Sequence, residues 1–216
     1  FSTVEENDLA SLKAYLDSED SGISAYASAI EYTYNITPQI YRLDGSDVRQ
    51  VHPDHSLSAL GLGSEQSANS LMSSAISTDV FYEMPAHTEL FQNQYTVKAG
   101  HWPENANECV VVLTAGGSIS DFLLYTLGLR DSQELDDMVA QFAAGESVDT
   151  PTGIHAYAYE DLLGITFKVV HPGDCYVYDS ALQTWTDQSE QHLASLVANG
   201  EDLTIVGIVQ PVEGAV

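Results

Sequence analysis

The stretch Tyr95-Thr96-Val97-Lys98-Ala99-Gly100-His101-Trp102-Pro103, with Asn107-Glu108-Cys109-Val110-Val111-Val112-Leu113 just beyond it, decides the fold. Residues 95–99 alternate as a half-buried strand does, and Gly100 to Pro103 supply turn chemistry. Cys109 to Leu113 is an unbroken apolar run. Such a run is typical of a strand covered on both faces, which puts it at the centre of a sheet. Leu203 to Val209 repeats the pattern and predicts a second buried strand.

Working outward, Asp131-Ser132-Gln133-Glu134 caps a helix over 132–144. Its apolar stripe is Leu135, Met138, Val139, Phe142 and Ala143, and Gly145 ends it. A helix over Glu190 to Ala198 turns Leu193, Leu196 and Val197 inward and stops at Asn199-Gly200. At the other end, Ser2-Thr3-Val4-Glu5 reads as a capping box. With Leu9, Leu12 and Leu16 at helical spacing it predicts a helix over 3–17. A short helix from Ile23 to Ile30 would place Tyr26, Ala27 and Ile30 on one face.

Tyr32 to Ile36, Ile40 to Leu43 and Val48 to Val51 favour strand, with Asp44-Gly45 turning between the last two. Residues 53–75 carry Pro53, Gly61, Gly63 and many serines and read as a loop, with a small helix near 68–76. Segments 154–159, 165–170 and 175–186 are strand-like. The last is a hairpin around Asp179-Ser180 displaying Tyr176, Tyr178 and Trp185. Helices and strands mix without regular βαβ alternation, so the fold class is α+β. The expected architecture is a mixed sheet containing 109–113 and 203–209, flanked by the helices at 132–144 and 190–198, in one domain with scope for two lobes.

Of 216 residues, 44% are hydrophobic and 18% charged, enough apolar content for a real core. Six Lys and Arg stand against 32 Asp and Glu, a formal net charge of −26. A surface that negative repels phosphate backbones and anionic headgroups, which argues against nucleic-acid and direct membrane-surface binding. No window approaches the roughly 18 to 20 apolar residues that span a bilayer. The start at Phe1 and the end at Ala215-Val216 predict a piece of a longer polypeptide. Cys109 and Cys175 are compatible with one disulfide or with two buried thiols.

Candidate chemistry is sparse. His52-Pro53-Asp54-His55 groups metal-ligand residue types, but Pro53 removes helical presentation and no third and fourth ligand follow, so it reads as a polar loop with solvated histidines. Gly61-Leu62-Gly63-Ser64-Glu65 and Gly116-Gly117-Ser118 do not fit a nucleophile elbow, and no phosphate-cradling loop is present. The acidic pairs Asp136-Asp137, Glu160-Asp161 and Glu201-Asp202 invite a calcium or glycosidase reading. Carboxylates this abundant make such pairs expected by chance. The sequence thus assigns no catalytic, metal or cofactor residue. The aromatic hairpin could stack on sugars, though alternating aromatics more often pack a sheet.

The quoted stretch resembles the "G-R-W-P…N-E-V-V-L" segment of MacB/FtsX-like permease extracytoplasmic domains, with His101 where Arg is usual. Three further segments resemble Gram-positive members of that group. They are Tyr32 to Tyr41 (YTYNITPQIY), Leu124 to Arg130 (LYTLGLR) and Leu203 to Pro211 (LTIVGIVQP). The resemblance runs over about residues 5 to 212. It implies a Porter/Sabre-like outer domain inserted between the first and second of four transmembrane helices, on the extracytoplasmic side of the cell membrane. The implied partners are its own transmembrane helices, a cytoplasmic ABC ATPase subunit, a second permease and an exported substrate or outer partner. The implied role is non-catalytic transmission of ATP-driven motion. The competing expectation is a secreted cell-surface module binding carbohydrate or protein.

Overall fold

The computed structural model describes residues 7–44, 47–60, 79–148 and 156–215. The strands are β1 (Gln39–Asp44), β2 (Asp47–His52), β3 (Tyr95–Gly100), β4 (Glu108–Val112), β5 (Thr166–Val170), β6 (Tyr176–Asp179), β7 (Thr184–Asp187) and β8 (Glu201–Pro211). The helices are α1 (Leu9–Leu16), α2 (Asp121–Leu127), α3 (Ser132–Ala143), α4 (Tyr159–Leu162) and α5 (Glu190–Ala198). The capping box at 2–5, the turn at 45–46, the small helix near 68–76 and the start of the segment 154–159 lie outside the described residues.

Two compact units are present. One comprises Phe1–Asn35 and Met84–Phe91, the other Ile36–Glu83 and Gln92–Val216. In the smaller unit, Asp8 caps α1 by accepting a hydrogen bond from the Ser11 amide, so the helix begins at Leu9, the first leucine of its stripe, rather than at residue 3. It ends after Leu16, where Lys13 pairs with Asp17 at 2.7 Å. The predicted helix at 23–30 shortens to a single 3-10 turn, Ile23–Ala25. Gly22 is left-handed before that turn (φ 60°), and Tyr26 is 93% exposed, so no apolar face is buried to sustain a longer helix. Residues 32–36 form no strand: β propensity without a pairing edge does not make a ladder. Glu31 instead binds the amides of Ala86 and His87, at 3.1 and 2.9 Å.

In the larger unit the sheet order is β2-β1-β5-β8-β3, with β4 on the other side of β8. β8 is the central strand. Its first half pairs antiparallel with β5 and its second half with β3, while β4 runs parallel along its opposite edge. The sheet is therefore mixed, and it contains both apolar runs. The run at 109–113 is not central, however: among the described strands β4 pairs only with β8. Val111 and Leu113 enter the core, whereas Val112 is 51% exposed, so β4 is covered on one face. An apolar run alone cannot distinguish one covered face from two.

A bulge at Val206 interrupts the β4 register and shifts the alternation of β8, so Ile205 and Ile208 both join the main core. That core also takes in Ile40, Val111, Leu113 and Phe167 from the sheet, Leu127 from α2 and Leu162 from α4. The opposite face carries Tyr41, Val170 and the fully buried Val197 of α5. Helix α3 packs Leu135 and Val139 against Tyr125 of α2 and Leu57. Asp131 caps it and Gly145 (φ 71°) ends it as predicted, but Phe142 of the predicted stripe lies 65% exposed. At 156–159 there is no strand. The chain turns into α4, where the Asp161 carboxylate accepts the Ala158 amide at 2.8 Å.

Candidate functional site

Three places bring polar or aromatic groups together in the larger unit. The first is the crossing between β3 and β4. These strands flank β8 on opposite edges, so residues 101–107 must pass over β8. Passage is possible because Gly100 and Gly207 carry no side chains. A Cβ on Gly207 would be driven into the carbonyl of His101, and one on Gly100, already left-handed at φ 69°, into the carbonyl of Val206. The His101 amide donates to that Val206 carbonyl at 3.0 Å. Tyr95 and Trp102 meet edge to face, with centroids 6.2 Å apart. The Glu108 carboxylate pins the loop by accepting the amides of Glu104 (2.7 Å) and Asn105 (3.1 Å). Those bonds hold its acid below the usual carboxylate range, the Glu104 amide being the larger cause.

The second is a pair of arginines on the first hairpin. Arg42 sits on the Ile40 side of β1, and alternation therefore sends it inward to 6% exposure. There its guanidinium donates to the carbonyls of Tyr125 and Thr126 at the end of α2, and at 2.9 Å to the buried Ser132 hydroxyl. A cation suits the negative end of a helix. Gly128, left-handed at φ 76°, leaves room for that guanidinium: a Cβ there would come within 3.0 Å of it. Arg49 on β2 grips Asp136 of α3 with two hydrogen bonds of 2.9 and 2.8 Å. The Asp136 carboxylate raises the arginine's pKa. Arg49 and Asp136 border an open cleft of about 430 Å³, also lined by Val48, Asp54, Ser56 and Val139. Because Asp136 already occupies the Arg49 fork, the cleft does not present a free guanidinium to an anionic ligand. The sequence reading missed both arginines, although the period-2 alternation of β1 already places Arg42 beside Ile40.

The third is the hairpin β6–β7, a separate two-stranded sheet. Tyr176 stands opposite Asp187 and Tyr178 opposite Trp185. One face thus carries three aromatic rings and a carboxylate. Tyr178 and Trp185 are 48% and 65% exposed, so the rings do not pack a second layer as alternating strand aromatics usually do.

The remaining candidates separate. His52 lies in β2 rather than in a solvated loop, its ring near Phe81 and its Nδ1 3.3 Å from Asp79. Asp54 instead caps the turn at Ser56, and among the described residues no group of three or more His, Cys, Asp or Glu could hold a metal ion. Ser118 bonds the Thr114 hydroxyl at 2.8 Å in a tight turn, and 61–65 falls outside the described residues. The acidic pairs do not converge: Asp136 serves Arg49, Asp137 accepts from Gln133, Asp161 caps Ala158, and Asp202 pairs with Lys168 at 2.6 Å. Cys109 and Cys175 are both free thiols, and burial pushes Cys109 up to about 11. Among the described residues, no helix is long and apolar enough to cross a membrane. Comparison with known proteins finds no matching family model, no matching curated protein and no matching solved structure.

Proposed function

We propose that this chain is the extracytoplasmic domain of a MacB/FtsX-like ABC-transporter permease, a non-catalytic element that passes ATP-driven motion of membrane helices to a substrate or partner outside the cell. One observation carries the reading. Two of the segments on which the resemblance rests meet in the fold: the Gly100 to Pro103 turn crosses β8 at Gly207, and β4 lies along the same strand. The Leu124 to Arg130 segment is likewise tied to β1, through Arg42 and Gly128. A sheet centred on a strand that buries Ile205, Ile208 and Val209 deforms little, which suits an element that transmits displacement.

The test uses the full-length gene product in its native membrane. The expected result is retention in the membrane pellet after alkaline extraction, labelling of a Ser180→Cys variant by an impermeant maleimide on intact cells, and co-purification of a nucleotide-binding subunit. Recovery as a free secreted protein would overturn the proposal. That outcome would favour a cell-surface binding module, the reading to which the exposed rings of β6–β7 lend weight.

A further inference from the structure

The hairpin β6–β7 carries an inference that neither reading of the whole chain contains. Its aromatic face is built rather than incidental. Asp179 accepts the amides of Ala181 and Leu182 at 2.8 and 3.1 Å, which fixes the turn, and Gln183 closes that turn in the left-handed region (φ 54°). At the base, the Gln188 amide donates to the Cys175 carbonyl at 2.9 Å, and Cys175 packs against the Tyr41, Val170 and Val197 cluster. The rings are thus held out at a fixed spacing, with Tyr178 and Trp185 centroids 5.3 Å apart.

The charge along this stretch of sequence has one sign. No Lys or Arg follows Lys168 in the sequence, while Asp174, Asp179, Asp187 and Glu190 lie on or beside the hairpin. Asp187 is exposed on the ring-bearing face, directly across from Tyr176. Ring faces attract cations through their quadrupole, and a carboxylate at the edge adds direct attraction. A neutral sugar would use the rings but gain nothing from the one-signed charge, and an anionic partner would be repelled.

We propose that the Tyr176, Tyr178, Trp185 and Asp187 face of β6–β7 is the docking site for a basic, arginine-rich peptide segment of a partner protein. Guanidinium groups stack on Tyr178 and Trp185, and one pairs with Asp187. A membrane-tethered domain and a freestanding module could both present this face.

The probe is a fluorescein-labelled hexa-arginine peptide, read by anisotropy on the whole chain at physiological salt. Trp185→Ala removes a ring and no charge, so it separates this site from general attraction to a polyanion. Trp185→Ala and Asp187→Asn are each expected to weaken binding about tenfold. Trp185→Phe, which keeps a ring face, retains most of it. A Glu19→Gln/Asp20→Asn variant, which loses two charges in the smaller unit, stays within about twofold. Circular dichroism of each variant verifies folding. Wild-type affinity in Trp185→Ala, absence of peptide binding, or retention on neutral oligosaccharides without peptide binding would each overturn the proposal.

Discussion

The crossing at β8 and the hairpin β6–β7 are made of similar strand-forming residues and end in opposite environments. At the crossing, Ile208 and Val209 are fully buried and two glycines are needed for the backbones to pass. In the hairpin every residue of β7 is exposed. The difference is not propensity, since Tyr, Trp, Val and Thr favour strands at least as well as Gly207 does. It is partnership: β8 has neighbours on both edges and both faces, whereas among the described strands β6 and β7 pair only with each other. Side chains at the first place therefore set stability, and those at the second are free to serve recognition.

The largest expected effect sharpens that contrast. Gly207→Ala drives a methyl group into the His101 carbonyl, which is backbone and cannot swing aside, and brings it to 3.1 Å from Val110 Cγ1. Urea denaturation is expected to show a loss of about 3 kcal/mol or more, among the severest single-residue effects. A loss below about 1 kcal/mol would mean that the crossing is looser than described.

The second effect depends on pH. Cys109 has an ordinary thiol pKa of 9.0, raised by burial to about 11 in the fold. The folded state therefore holds its proton where the unfolded state releases it. The thiol's contribution is complete below about pH 9 and is lost as pH rises toward 11. The difference in unfolding free energy between wild type and Cys109→Ala should accordingly shrink by about 2 to 3 kcal/mol over that window. A pH-independent difference would place the thiol in water. The smallest effect is at the hairpin, where Trp185→Ala should change stability by no more than about 0.5 kcal/mol. A larger loss would make Trp185 a packing residue and blur the comparison.

Much of this was legible in the sequence. Leu203 to Val209 announced β8, the cap at Asp131 and the stop at Gly145 bounded α3, and the stripe of Leu193, Leu196 and Val197 gave α5 its inward face. What failed did so for identifiable reasons. The apolar continuity of 109–113 carries no information on whether Val112 is covered, and it stands half exposed. The spacing of Tyr26, Ala27 and Ile30 suits a helix, but spacing without burial does not pay for one. The arginines escaped because their partners are carbonyls and a carboxylate far along the chain, which only the fold brings near. The ring-bearing face was visible as alternation, but its exposure was not.

The position of β8 between β3 and β4 has a consequence for synthesis. Those two strands leave the ribosome long before Glu201–Pro211 exists, and they cannot close on each other without filling the slot that the later strand must occupy. A nascent chain thus carries an open, strand-wide gap with unpaired amides on both lips until Glu201–Pro211 has emerged. During that interval the polypeptide is most exposed to mispairing with another copy of itself.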